Sequence, residues 1–255
     1  MICTRSGHNA YPFTRISQIW IWEQMSHMHI HIRTEQASDY VAVETIARDA
    51  FWNLYAPGCT EHFIIHTLRS HPDCIPQLCF VIEVDGTVVG SIFYSHSKVI
   101  DADGTVYPTI TFGPVSITPT LQRSGLGRKL ITHSIAQAKA MGHGAIIIGG
   151  YPYHYRPYGF VGAKKYRIAL EDGNYYTGIM ALPLIAGYLD TVNQGIVYFS
   201  DGMSPDEQAL AEFDAQFPMK KKEITPSQAE FNVASAEIDT YDYGSASSTC
   251  GWYHF

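Results

Sequence analysis

Apolar and polar positions alternate along this chain with two different periods, and the switches between them lay out its elements. His29 to Arg33 reads as a first strand. From Ala37 to Leu54 the apolar positions Val41, Val43, Ile46, Ala47, Ala50, Phe51 and Leu54 recur at helical spacing, with Ser38 and Asp39 placed to cap. A shorter helix is predicted over Glu61 to Leu68, before the breaker Pro72. Cys79 to Val84 and Thr87 to Ile100 are β-rich runs around Asp85-Gly86, a hairpin signal, and Thr105 to Ile117 follows a second turn at Asp103-Gly104. Three such strands in succession make an antiparallel meander.

After the meander, Leu126, Leu130, Ile131, Ile135, Ala138 and Met141 form one helical stripe that Gly142 stops. Ala145 to Ile148 then reads as a buried strand, followed by the aromatic segment Tyr151 to Phe160 and a strand near Val161 to Leu170. The order strand, helix, helix, three strands, helix, strand predicts an α/β class with a mixed sheet. Further on, Ser204-Pro205-Asp206-Glu207 has the form of a capping box, Leu210, Phe213 and Phe217 make a stripe behind it, and Pro218 is the expected stop. Lys220 to Lys222 read as a solvated helix end rather than a binding patch.

These patterns divide the chain into an N-terminal extension (1–28), a core (29–170), a strand and helix appendage (171–222) and an acidic, flexible tail (223–255). The apolar patch Ile16 to Trp22 is interrupted by Gln18 and lacks a cleavage site of small residues, so it makes a poor signal peptide. Met25 and Met28 precede the first strand, which makes part of the extension optional.

Composition narrows the function. The 255 residues carry a net charge of -7 with only 17 Lys and Arg, leaving no basic field for a phosphate backbone, so nucleic acid is not expected as a partner. No apolar run approaches the ~20 residues that cross a bilayer, so no membrane partner is expected either. Cys3, Cys59, Cys74, Cys79 and Cys250 form no C-x-x-C pair, which argues against a disulfide framework or zinc knuckle and fits a reducing cytoplasm. His27, His29 and His31 alternate as on one strand face, and His62 and His66 stand four apart without the glutamate of a zinc-protease helix. Neither group is read as a metal site, and no metal is expected.

The chemistry lies in Val115 to Arg128, where a strand passes through a glycine-bearing loop into the long helix. Free N–H groups and the positive end of the dipole favour an anion there, and Arg123 and Arg128 add charge. A Walker loop fails because Gly127 is followed by Arg128-Lys129, and a dinucleotide fingerprint fails because Leu130 stands three residues after Gly127.

Gln122-Arg123-Ser124-Gly125-Leu126-Gly127 resembles the acetyl-CoA motif of the GNAT superfamily of N-acetyltransferases: Gln or Arg, two residues, Gly, one residue, then Gly or Ala. Tyr155-Arg156-Pro157-Tyr158-Gly159-Phe160 is similar to the second element of that family, although Pro157 stands at its basic position. The resemblance covers roughly His29 to Leu170 and is nearest to a bacterial branch with Gly150-Tyr151-Pro152 before the tyrosine. It implies a mixed, mostly antiparallel central sheet flanked by helices, with splayed parallel strands at a cofactor cleft. It further implies an acetyl-CoA-dependent N-acetyltransferase that passes the acetyl group directly to a small-molecule or peptide amine, and a homodimer.

The same resemblance implies that the backbone of Val115 and Ile117 receives the pantetheine arm, and that Gln122, Arg123, Ser124, Gly125, Leu126, Gly127 and Arg128 wrap the pyrophosphate. Tyr155 becomes the acid beside the thioester sulfur. The base is not marked: Thr105 to Pro114 holds no carboxylate, which leaves Glu83, His96, Asp101 or an ordered water. That gap motivates an alternative, a non-catalytic acyl-CoA-binding sensor.

Overall fold

A computed structural model describes residues 29–204 and 206–243. The extension up to residue 28, with His27 and the patch Ile16 to Trp22, lies outside these residues, as do Pro205 and the aromatic end at Trp252, Tyr253 and Phe255.

The strands are β1 (Ile30–Thr34), β2 (Phe80–Val84), β3 (Thr87–Ile100), β4 (Val106–Ile117), β5 (Ala145–Gly149), β6 (Val161–Gly162), β7 (Ile168–Ala169), β8 (Ile179–Pro183) and β9 (Gly195–Tyr198). The helices are α1 (Tyr40–Phe51), α2 (Glu61–Leu68), α3 (Leu126–Ala140), α4 (Pro152–Tyr155), α5 (Glu207–Asp214) and α6 (Pro226–Ala236). The sheet runs β1-β2-β3-β4-β5-β8-β6, with β9 against β3 and β7 against β9. Its pairings are antiparallel except β4 with β5 and β7 with β9. This is the open, mixed, mostly antiparallel architecture implied by the resemblance. No described helix is long and apolar enough to cross a membrane.

Side-chain parity decides which helix covers which face. Ile82, Ile92, Tyr94, Ile110, Ile146 and Ile148 point to one side and pack with Leu126, Leu130 and Ile131 of α3. Val81 and Phe93 point to the other and pack with Val43 and Ala47 of α1 and Ile65 and Leu68 of α2. In β4 the parity changes partway. Ile92 opposes Val115 but Tyr94 opposes Phe112, so β4 carries one extra residue at Gly113-Pro114. This bulge brings Ile110 and Phe112 before it, and Val115 and Ile117 after it, onto the α3 face.

Several local expectations are revised. Asp39 does not cap α1 through its side chain; its carboxylate accepts from the Gln36 N–H (2.8 Å) and from Arg33 (2.6 and 2.9 Å). The cap of α5 is Asp206, accepting from the Ala209 N–H at 2.8 Å, and the helix ends at Asp214, before Phe217 and Pro218. The sheet also runs past residue 170, because β8 inserts between β5 and β6 as a full member. The stretch read as a tail contains α6, tied to the α1–α2 loop by Thr225 and Ser227, whose hydroxyls donate to the carbonyls of Asn53 (2.7 Å) and Leu54 (2.8 Å). The lysine run before it docks on the same loop: Lys221 C=O accepts from Trp52 Nε1 and Asn53 Nδ2, both at 3.0 Å, and Lys220 pairs with Asp49. These segments are short or mix polar with apolar residues, so their place depends on docking partners far away in sequence.

Candidate functional site

Strands β4 and β5 share a single paired position, Ile110 with Ile146. Beyond it they part, and the edge of β4 from Phe112 to Ile117 faces the gap. The Thr118 N–H donates to Val89 C=O (2.8 Å), so in this antiparallel ladder Thr118 and Val89 form a hydrogen-bonded pair. Alternation then makes Ile117 with Gly90 and Val115 with Ile92 non-hydrogen-bonded pairs, whose backbone groups point away from β3 and toward the gap. An extended amide-bearing chain laid there finds donors and acceptors at strand spacing.

At the end of that edge the chain turns sharply. Arg123 and Gly125 both adopt left-handed backbone, with φ of 60° and 89°, and Gly125 stands immediately before α3. No side chain caps this helix. Gln122 donates instead to Ile117 C=O (3.1 Å), which takes that carbonyl on the gap side, and the Ser124 hydroxyl donates to Leu121 C=O (2.6 Å), so both side chains brace the turn. The first N–H groups of a helix lack intrahelical partners, and here the exposed side chains of Arg123 and Arg128 flank them. Leu126 is buried and anchors the helix, and Gly127 leaves its side open. Such an arrangement can accept a phosphate-like anion.

Tyr155 closes the other side of the gap. It ends α4, and its ring packs against Phe112 (centroids 5.7 Å) and Phe160 (5.8 Å). Gly150 makes room for it, since a Cβ there would lie 2.5 Å from Tyr155 Cε2. The phenol has no hydrogen-bond partner among the described residues, and burial, reinforced by the neighbouring Tyr158, pushes it up to about 12. It therefore stays protonated at neutral pH. Burial also raises Tyr158, with the positive charge of Arg128 opposing, which shows that the second motif folds back beside the first.

The two carboxylate candidates for the base are committed elsewhere. Glu83 binds Arg33 through Oε1 (2.6 and 3.0 Å) and His31 through Oε2 (3.2 Å) at the β1–β2 edge, and the hydrogen bonds from Arg33 and then His31 hold its carboxyl low. Burial works to raise Asp101, but N–H donors from Thr105 (2.8 Å) and Asp103 (3.0 Å) and the Tyr107 hydroxyl (3.2 Å) hold it low; it organises the β3–β4 turn. His96 is exposed, opposite Ile110 on β3, with its ring 6.2 Å from that of His143.

Sequence reasoning missed Glu61, the first residue of α2. Its Oε2 accepts from the Thr60 N–H (3.0 Å), no cation lies within ion-pair reach among the described residues, and burial raises its carboxyl despite these N–H donors. No local pattern announces that desolvation.

The remaining histidines and thiols have structural partners. His62 is fully buried, with Nδ1 3.4 Å from Cys59 Sγ and Nε2 3.1 Å from Asp214 Oδ1, a contact without hydrogen-bond geometry. His66 Nδ1 lies 3.0 Å from Glu44 Oε1. Cys74 and Cys79 are free thiols 3.8 Å apart. His71, Asp73 and Asp201 cluster at the surface, but the His71 Nδ1 accepts from the Asp73 N–H (3.2 Å) and Nε2 faces Asp201 (2.9 Å). The two ring nitrogens serve different partners, so the group is a turn lock in form.

Comparison with known proteins agrees with this geometry. Residues 48–154 match the family model described as the acetyltransferase (GNAT) family. A GNAT family N-acetyltransferase from Escherichia coli, solved in complex with CoA, superimposes with a TM-score of 0.60 at 20% identity, covering 70% of this chain and 93% of that one. A GNAT family acetyltransferase from Brucella melitensis, solved in complex with acetyl-CoA, gives a TM-score of 0.55 at 26% identity, covering 70% of this chain and 100% of that one. No curated protein matches.

Proposed function

We propose that this chain, whose residues 48–154 match the acetyltransferase (GNAT) family model, belongs to that superfamily and transfers the acetyl group of acetyl-CoA directly to an amine. The observation that carries the reading is the uncapped start of α3, set in the left-handed turn of Arg123 and Gly125 and continuous with the open edge of β4. A pyrophosphate and an extended pantetheine arm need such a pair of surfaces at one junction. The CoA and acetyl-CoA bound by the two structural neighbours support the donor's identity.

In this reading the first N–H groups of α3, with Arg123 and Arg128, hold the pyrophosphate, and Val115 and Ile117 hold the arm. The thioester then reaches the gap beside Phe112, within reach of Tyr155. The amine attacks the carbonyl carbon, a tetrahedral intermediate forms, and the carbon–sulfur bond breaks. The Tyr155 phenol donates a hydrogen bond to the departing sulfur and relays to the thiolate the proton shed by the new amide nitrogen. No acyl-enzyme is needed.

Thermal unfolding with acetyl-CoA, with NAD as comparator and Arg123→Glu as control, tests the reading. At ~100 times its dissociation constant the ligand adds about 2.7 kcal/mol, a rise of several degrees that the variant should lose. Amine-dependent release of CoA then separates transfer from a sensor, which would be stabilised and release none. Absence of any shift with millimolar acetyl-CoA would sink the reading.

A further inference from the structure

Cys74 and Cys79 flank the passage from α2 into β2, and both lie along one edge of β3. The His96 N–H donates to Asp73 C=O (2.8 Å) and the Ile75 N–H donates to Tyr94 C=O (3.0 Å), so Cys74 and Ser95 form a close, non-hydrogen-bonded antiparallel pair. Cys79 stands just before Phe80, which opposes Ile92 on the same edge. Both thiols point to the α1 and α2 side, packed with Val81 and Phe93. The turn between them, Pro76–Leu78, is fixed from the opposite side, because Ile75 and Leu78 are buried in the α3-face core. Packing on both faces therefore holds two free sulfurs 3.8 Å apart. Rotation about the Cα–Cβ bonds is what remains to bring them to the ~2.05 Å of a disulfide.

The two thiols are not equivalent. Cys74 is half-buried and Cys79 is 2% exposed, so a small oxidant reaches Cys74 first. The thiolate, not the thiol, is the nucleophile. The Cys79 thiol can donate to a Cys74 thiolate, which lowers Cys74 against the opposing effect of burial, and the same contact together with burial raises Cys79. Glu35 and Arg69 act on Cys74 with opposite signs and pair with each other at 2.8 Å. Ser95, opposite Cys74, has a buried hydroxyl without a hydrogen-bond partner among the described residues, a donor left over for an anion formed at Cys74. An accessible thiolate poised next to a resolving thiol is the arrangement of redox-sensitive cysteines.

We propose that Cys74 and Cys79 form an oxidative modification site, in which hydrogen peroxide converts Cys74 to a sulfenic acid and Cys79 closes it into an intramolecular disulfide. In the first step the Cys74 thiolate attacks one peroxide oxygen. The sulfur–oxygen bond forms, the oxygen–oxygen bond breaks, and the departing hydroxide takes up the proton that Cys74 had shed. In the second step the Cys79 sulfur attacks the Cys74 sulfur, and the hydroxyl leaves as water with the Cys79 proton. Two thiols and one peroxide thus give one disulfide and two waters, with sulfur oxidised and peroxide reduced. A small dithiol reopens the bridge by exchange. Once formed, the bridge fastens the exit of α2 to the start of β2. The site stands apart from the transferase reading.

The test treats the reduced, full-length protein with hydrogen peroxide, quenches it in acid, alkylates it in denaturant and digests it with trypsin. Cys74 and Cys79 fall in one peptide, residues 70–98, with no other cysteine, while Cys59 falls in residues 49–69. The expected product is a 70–98 peptide two hydrogens lighter than the thiol form and free of alkyl groups, which dithiothreitol returns to the doubly alkylated form. It should appear at least about tenfold faster than oxidation of Cys59, whose thiol burial pushes up to about 12. Cys79→Ser should leave a Cys74 sulfenic acid that dimedone traps, and Cys74→Ser should leave Cys79 reduced. Where a variant fails to fold, the wild-type peptide map decides alone. A doubly alkylated 70–98 peptide after peroxide, Cys74 carried to sulfinic acid without a bridge, or Cys59 oxidised equally fast would each overturn the site.

Discussion

The ring of Tyr155 lies on the bare α-carbon of Gly150, so closely that a Cβ at 150 would stand 2.5 Å from its Cε2. Phe112 and Phe160 hold the other sides of the ring, which places the phenol at the mouth of the β4–β5 gap. Gly150→Ala should therefore push the ring out of position and lower kcat by about 100-fold or more, the scale of losing a positioned acid. Tyr155→Phe should lower kcat similarly while acetyl-CoA binds as before. Steady-state rates and calorimetry on both variants check this, and an unchanged kcat in Tyr155→Phe would remove the phenol from the mechanism.

Arg123 holds φ at 60°, a conformation that glycine adopts freely. Arg123→Gly should keep the turn and lose one charge, whereas Arg123→Glu would set a carboxylate against the pyrophosphate of the proposed complex. The expected order of acetyl-CoA affinity is wild type, then Gly, then Glu, with Glu at least tenfold weaker than wild type. A Glu variant that binds as tightly as wild type would separate this turn from the cofactor.

Arg48 is almost fully buried, with Nε 2.6 Å from Asp214 Oδ1, a bond to Pro218 C=O (3.1 Å), and its guanidinium over Trp52 at 4.3 Å. Asp214→Ala strands that charge, and the expected loss is about 3 kcal/mol, as for other buried ion pairs broken on one side. Urea midpoints measure it. A loss under ~1 kcal/mol would mean that the pair adds little to the attachment of α5.

Burial of His62 lowers its pKa to about 4, with Asp214 opposing and Arg48 reinforcing the shift. The unfolded chain takes up this proton near pH ~6.5, so its stabilising effect is complete above that value and is lost as pH falls toward 4. The loss amounts to about 3 kcal/mol at most, from two and a half units at ~1.36 kcal/mol each. His62→Leu should flatten the stability profile over this window relative to wild type. Parallel profiles would assign the acid sensitivity to other histidines.

Leu130 is fully buried between α3 and the sheet. Leu130→Ala should cost about 2–5 kcal/mol through lost burial and the cavity left behind. Saturating acetyl-CoA should recover part of that loss, because ligand binds only the folded state. Denaturant titrations with and without acetyl-CoA measure both.

Much of this protein is determined by neighbours in sequence. The periods that place β2, β3, β4, α3 and β5 depend on side chains two to four residues apart, so the meander and the long helix are legible directly. The turn at Gln122 to Gly127 is legible for the same reason, since it needs glycine, a left-handed backbone and a helix start within six residues.

Tertiary structure alone decided the rest. The bulge at Gly113-Pro114 is defined only against β3, where Tyr94 meets Phe112 and Ile92 meets Val115. Strand β8 joins the sheet by pairing with β5, and α6 is placed by hydrogen bonds to Asn53 and Leu54, about 170 residues earlier. Glu61 reads in sequence as an ordinary first-turn acid, and the desolvation that raises its carboxyl comes from tertiary packing. Periodicity reports which way a side chain faces along its own element. Desolvation depends on what that face meets, and those partners come from distant segments.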